Sequence, residues 1–255
     1  MHFERPTLLC ILMVGCMDSA YVGSDIVWSA DHETEDVSQW TADMAGHVVN
    51  DDGGVVEISD AYAHSGRHAL LLSAPADPAP GALEGGAHIV RRGLMPSSAY
   101  YSAWYLIPEP YTTESYWSVM QFAVDDPEIA SGLAAGVDLT LRSLPDGQLV
   151  LELFDHPQER LHTPIAYPPP IVPIGRWFLL EVHFRALAGE SGSPLSVWLD
   201  GREVYRSDDQ STASPDVLLF VVCSVALRGT PRPLQLYVDD AAISLSRIGP
   251  SGALQ

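Results

Sequence analysis

Residues 177–185 read WFLLEVHFR, residues 195–199 read LSVWL and residues 202–205 read REVY. In the first run Phe178, Leu180, Val182 and Phe184 fall on one side. Trp177, Leu179, Glu181, His183 and Arg185 fall on the other. Successive side chains of a strand point to opposite faces, so this alternation predicts a strand with one apolar face. Asp200-Gly201 separates the second run from the third. That dipeptide between alternating runs signals a tight hairpin, because a type I′ turn needs positive φ at both central residues. The stretch therefore predicts an antiparallel meander with one apolar and one mixed, polar-aromatic face.

The same patterns recur outward from it. Strands are expected near 55–58, 69–73, 87–92, 99–107, 117–124, 136–142, 149–154, 217–227 and 234–244, with Pro145-Asp146-Gly147 marking a second hairpin. Residues 217–227 are apolar but for Ser224, as in a strand buried on both faces, and Cys223 within them reads as a small buried hydrophobe. Residues 156–175 carry six prolines. Proline cannot donate to a sheet ladder, so this segment is a loop, and a candidate rim for a groove. The 255-residue chain holds 20 Gly and 20 Pro, which suits many short strands joined by turns. Residues 28–247 form one expected domain, and the fold class is all-β, two antiparallel sheets packed as a sandwich.

Thirteen basic residues, all Arg, face 33 acidic ones, a formal charge of −20. Nucleic acids and anionic membrane surfaces need a basic footprint, so both are excluded as partners. The balance also weighs against strongly anionic polysaccharides. Residues 1–16 combine a weak basic start at Arg5 with an apolar core too short to span a bilayer and end in Met13-Val-Gly-Cys16. This resembles a lipoprotein signal with Cys16 as the lipidated mature N-terminus; an ordinary cleaved signal is the alternative. Residues 17–27 are a tether and 248–255 a tail. An exported, membrane-anchored or secreted protein is expected.

Near the start, residues 28–40 read WSADHETEDVSQW, dense in carboxylates. They are a solvated loop or part of a calcium site, since hard cations take several oxygens. Taken with SGRHALLL (65–72), YYSAWY (100–105), WSVMQF (117–122), GRWFLLEV (175–182), VWLDG (197–201) and YVDDAAIS (237–244), they form an order of features that resembles the concanavalin A-like lectin/glucanase superfamily. The arrangement is most similar to its polysaccharide-lyase jelly rolls, the heparin lyase I and glucuronan lyase type. The resemblance implies a jelly roll with one concave, solvent-facing sheet that takes a polysaccharide. It implies a structural Ca²⁺ held by Glu33 and Asp239, with Asp240 as a substitute, although His32 stands where Phe is usual. It also implies a substrate-contacting Gln on the WSVMQF strand. Gln121 fills that place, but the His that commonly follows is missing.

Eliminative cleavage of a uronic acid needs a group to neutralise the carboxylate, a base for the C5 proton and an acid for the leaving oxygen. Alternation puts Gln121, Asp138, Thr140, Arg142, Val150, Glu152, Phe154, Glu181, His183, Arg185, Ser196 and Trp198 on non-core faces. Gln121, Arg142 and His183 are the candidate catalytic set, with Tyr101 or Tyr205 as proton donor, provided that their strands are neighbours. The alternative is that His183 and Arg185 pair with Glu181, Glu152 and Asp138 across strands as ordinary sheet-surface charge pairs. A hydrolase would carry two carboxylates at a set separation, and no E-x-D-x-x-E run is present. Binding needs less: aromatic rings stack on sugars and planar polar groups bond hydroxyls. Tyr101, Trp117, Gln121, Arg142, Arg185 and Trp198 are the candidate sugar-contacting residues, Trp104, Tyr116 and Trp177 are further aromatics available for stacking, and Trp28 and Tyr105 are expected in the core. The expectation is a polysaccharide-binding jelly roll, with a polysaccharide lyase and a non-carbohydrate surface scaffold as alternatives.

Overall fold

A computed structural model describes residues 25–41, 46–51, 53–76, 84–92, 96–112, 116–125, 133–156, 159–185, 193–210, 218–227 and 232–251. Cys16 and the rest of the expected signal lie outside them. Among the described residues no helix is long and apolar enough to cross a membrane.

In chain order the strands are β1 (Ile26–Ala30), β2 (Gly46–Asp51), β3 (Val55–Ser59), β4 (Ala69–Ala74), β5 (Glu84–Arg91) and β6 (Ser98–Leu106). They continue with β7 (Trp117–Asp125), β8 (Leu133–Ser143), β9 (Leu149–Asp155), β10 (Arg160–Leu161) and β11 (Ile171–Val172). The last are β12 (Phe178–Arg185), β13 (Ser193–Leu199), β14 (Arg202–Gln210), β15 (Leu218–Leu227) and β16 (Leu234–Ser244). One helical turn, α1 (Ser38–Thr41), follows β1.

These strands form two sheets. The first runs β14-β13-β12-β6-β16-β4-β3, with β1 also paired to β16. The second runs β10-β9-β8-β7-β15-β5-β2, with β11 also paired to β9. The pairing is antiparallel, and sequence neighbours such as β6 and β7 sit in different sheets, so the connections cross between layers as in a jelly roll. The meander is β12-β13-β14, and Asp200 and Gly201 take φ of 49° and 79° at its hairpin.

One apolar core lies between the sheets. Tyr101 and Phe184 from the first sheet meet Phe122 and Phe220 from the second, with ring centroids 5.1 to 5.6 Å apart for three of the cross-sheet pairs. Edge-to-face and offset contacts of this kind add to the area that the rings bury. Tyr105 is buried in the core, and Trp28 packs against it, as expected. Strand β15 is apolar on both sides: Phe220 and Val222 face the core, while Leu219, Val221 and Cys223 join Val90 and Ala123 in a second cluster on the other side of the sheet. Burial drives the Cys223 thiol pKa well up, and the charge of Asp138 adds to it, which leaves the thiol protonated and inert.

The proline-rich segment is more ordered than its composition suggests. It leaves β9 through β10, crosses to the other sheet, where the Ile165 N–H donates to the Val204 carbonyl at 2.8 Å, and returns as β11 beside the start of β9. The Tyr167–Pro168 peptide bond is cis. This strap covers the open edge between β9 and β14. Uncovered sheet edges invite pairing with other chains, and prolines on an edge prevent it. Beneath the strap, the buried Tyr205 hydroxyl of β14 donates to the Leu151 carbonyl of β9 at 2.6 Å. Tyr205→Phe removes this cross-sheet bond, and urea unfolding is expected to show a loss of about 1 kcal/mol, the usual net worth of a buried hydrogen bond.

Candidate functional site

The outward face of β7, β8 and β9 carries the polar groups. On β8, Val137, Leu139 and Leu141 point into the core, which turns Asp138, Thr140 and Arg142 outward. On β9, Leu149, Leu151 and Leu153 do the same and turn out Val150, Glu152 and Phe154. Strand pairing sets Gln121 beside Asp138 and Asp138 beside Phe154, with Thr140 between Ser118 and Glu152 in the next row. A pocket of about 140 Å³ opens here, lined by Tyr116, Asp138, Thr140, Glu152, Phe154, His156 and Leu161.

Its polar groups hold one another in place. His156 Nε2 lies 3.1 Å from the buried carboxylate of Asp138, and Phe154 meets the imidazole edge-on at 4.8 Å. The half-exposed Arg142 donates through Nε to Glu152 at 2.7 Å. Gln121, nearly buried, donates to Ser118 Oγ at 3.2 Å. A buried carboxylate beside an imidazole sets the tautomer and stabilises the protonated ring, the arrangement found where histidine works as a base. The pocket thus offers aromatic walls, carboxylate acceptors and a poised histidine.

This geometry brings together only part of the expected site. Gln121 and Arg142 share the outer face of the second sheet. His183, Arg185 and Trp198 sit on the outer face of the first sheet, across the core, so the set Gln121, Arg142 and His183 cannot act on one substrate. His183 stacks on Tyr100 at 4.5 Å and bonds Ser98 Oγ at 3.0 Å, and burial, with Arg185 beside it, lowers its pKa. Trp198 is half-buried under the Arg247 guanidinium, 4.6 Å from its ring. The expected pairing of His183 and Arg185 with Glu181, Glu152 and Asp138 does not form: Glu152 and Asp138 lie on the other sheet and engage Arg142 and His156, and Glu181, fully buried, binds Arg247 at 2.8 Å.

Tyr101 and Trp117 are corrected more sharply. Both are buried between the sheets, where Trp117 Nε1 donates to Ser224 Oγ at 3.0 Å, so neither reaches a sugar. Tyr101 and Tyr205 are also unfit as proton donors. Their hydroxyls lie in the core, and burial raises both pKa values above the usual phenol value. Alternation along β6 and β7 could not show this, because both faces of each strand are rich in aromatic and polar residues. Tyr116, one of the aromatics expected to be available for stacking, does line the pocket, whereas His156 was missed because it lies just outside β9, where periodicity carries no information. The Asp-Gly hairpin and the strand ending in Phe154-Asp155-His156 were the available signals.

The groups expected to hold calcium form a clasp between the opening segment, the 64–68 turn and β16. Glu33 Oε1 accepts the N–H groups of Arg67 and His68 at 2.7 and 2.8 Å. Asp239 Oδ2 accepts those of His64 and Ser65, and its Oδ1 faces His32 Nδ1 and the Asp240 N–H. Asp240 engages His64 Nδ1 and Ser65 Oγ. Gly66, at φ +59°, lies under the Glu33 carboxylate, and a Cβ there would come within 2.4 Å of Oε1. Donors that surround these oxygens repel a cation, and no group of three or more His, Cys, Asp or Glu side chains that could hold a metal occurs among the described residues. The set does not fit a resident calcium ion.

The two-layer antiparallel sandwich gives the chain a jelly-roll fold like that of several polysaccharide lyases. In fold it is similar to the endo-β-1,4-glucuronan lyase of the fungus Trichoderma reesei, with a TM-score of 0.64 at 16% identity over 87% of this chain and 96% of that one. It is similar also to the cellulose-induced protein Cip1 (TM-score 0.56, 13% identity, 87% and 98% covered). The alginate lyase vAL-1 of a Chlorella virus gives 0.53 at 11% identity over 86% and 99%. No protein-family model matches the chain, and no curated protein matches it in sequence.

Two outcomes follow from this geometry. A chelator should leave the melting temperature unchanged, as followed by differential scanning fluorimetry; a fall of several degrees, reversed by calcium, would restore the metal to the clasp. His183→Ala should leave ligand binding at the pocket as in the wild type, measured by calorimetry.

Proposed function

We propose that the protein is a carbohydrate-active jelly roll that binds polysaccharide at the pocket on β8 and β9. The observation that carries this reading is the union in one pocket of aromatic walls, Phe154 and Tyr116, with the fixed acceptors Asp138 and Glu152. Rings stack on the apolar face of a sugar, and carboxylates accept hydrogen bonds from its hydroxyls. Asp138 and Glu152 outnumber the one permanent cation, Arg142, at the site, which favours a neutral sugar there over a uronate. Asp138→Ala should weaken binding of a soluble polysaccharide about 10- to 100-fold, the range of a lost charged hydrogen bond, in affinity electrophoresis. Unchanged mobility shifts would remove the pocket from binding.

A second reading is eliminative cleavage, favoured by the Asp138–His156 pair. Neutral His156 would take the C5 proton of a uronic acid, while Asp138 stabilises the imidazolium. Gln121 and Arg142 would face the carboxylate, and the C4–oxygen bond would break as Tyr116 protonates the leaving oxygen. The product is an unsaturated sugar that absorbs in the ultraviolet. Incubation with glucuronan and with alginate separates the readings. Rising absorbance, lost by about 10²–10⁴-fold in His156→Ala, establishes the lyase, and a flat trace with retained binding leaves the binding protein.

The same proposal places the protein outside the cytoplasm, with residues 1–16 as its signal and Cys16 as the lipid anchor. Cys16→Ala should then move it from the membrane fraction to the soluble fraction on cell fractionation.

A further inference from the structure

Nine large hydrophobic residues are exposed among the described residues, and four of them, Leu161, Ile165, Tyr167 and Ile171, lie on the strap. Scattered exposed apolar side chains are ordinary on a protein surface, but a run of them on one short segment marks a contact surface. Tyr167 is 94% exposed, with prolines on its C-terminal side that restrict the backbone carrying it.

The strap continues the pocket. Leu161 pairs with Phe154 and lines the pocket beside it, while Ile171 pairs with Val150 on the same outward-facing row of β9. The outer face of the second sheet thus runs from Asp138 through Phe154 to Leu161 and Ile171, and between those two the strap turns over the sheet edge to β14, carrying Ile165 and Tyr167. The pocket itself is about 140 Å³, well below the roughly 300–1,000 Å³ that encloses a drug-sized ligand, and suits about one sugar ring. A polymer held there must leave it across neighbouring surface, and the surface next to Leu161 is the strap.

We propose that the ridge formed by Leu161, Ile165, Tyr167 and Ile171 is a distal polysaccharide subsite, in which the Tyr167 ring stacks on a sugar unit outside the pocket. The inference rests on the polysaccharide reading of the pocket. It makes the strap the part that distinguishes a polymer from a short oligosaccharide: the pocket holds one unit of either, and the ridge adds contact area only for a long chain. Aromatic rings offer that area at small entropic cost, more so where the backbone is already restricted.

The test compares soluble mixed-linkage β-glucan and glucuronan with their own trisaccharides by calorimetry, using wild type, Tyr167→Ser, Ile171→Ser and Asp138→Ala. The two strap variants are expected to weaken polymer binding about 10-fold and to leave trisaccharide binding unchanged, while Asp138→Ala weakens both. Circular dichroism should show all variants folded, since both strap residues are exposed. Strap variants that bind polymer like the wild type would overturn the subsite and leave the pocket reading standing. Wild type that binds none of the sugars would overturn both. A wild-type dimer in sedimentation that Tyr167→Ser dissociates would reassign the ridge to self-association.

Discussion

The aromatic core between the sheets, where Tyr101 and Phe184 meet Phe122 and Phe220, is the constraint on which the rest depends. Each strand must give one face to this core, because burial of apolar area is the dominant favourable term in folding. The other face is then sent outward on one of two opposite surfaces, according to the sheet that the strand joins. Polar residues that look equivalent along the chain are separated by this sorting. Gln121 and Arg142 go to one surface and His183 and Arg185 to the other, with the whole core between them.

A sandwich built this way has open edges and loose ends, and each is closed by a specific contact. The strap covers the edge between β9 and β14, and the Tyr205 hydroxyl ties those strands from inside. At the other end of the first sheet, the Glu33, Asp239 and Asp240 carboxylates draw the opening segment and the 64–68 turn onto β16. Glu181, fully buried, accepts from the Arg247 side chain and from the Ile248 N–H at 2.8 Å each, which seats the chain after β16. Buried carboxylates are costly unless their oxygens find donors, and Asp239, Asp240 and Glu181 find backbone amides, imidazoles, the Ser65 hydroxyl and a guanidinium.

The pocket uses the same economy of charge. Asp138 is held beside Gln121 by strand register and beside His156 by the turn after β9. A negative charge in that position raises the cost of ionising Cys223 on β15. The overall acidity of the chain therefore reaches into the pocket, where Asp138 and Glu152 are both carboxylates. The apolar cluster of Val90, Ala123, Leu219, Val221 and Cys223 occupies the neighbouring part of the same face, so the polar site is confined to β8, β9 and the strap.

By itself the sequence determined the strands and their apolar faces. Alternation in 177–185, the Asp200-Gly201 hairpin, the apolar run at 217–227 and the closing 234–244 all correspond to observed elements, because strand period and turn chemistry are local properties. Only the tertiary structure decided which strands share a sheet, since that depends on contacts between residues far apart in the chain. It therefore decided that Tyr101 and Trp117 are core residues, that His183 lies opposite Gln121, and that the proline-rich segment joins two sheet edges. It also supplied His156, which no periodic pattern marks, by setting the end of β9 beside Asp138. The faces of the strands were written locally; the site is a product of how those faces are paired.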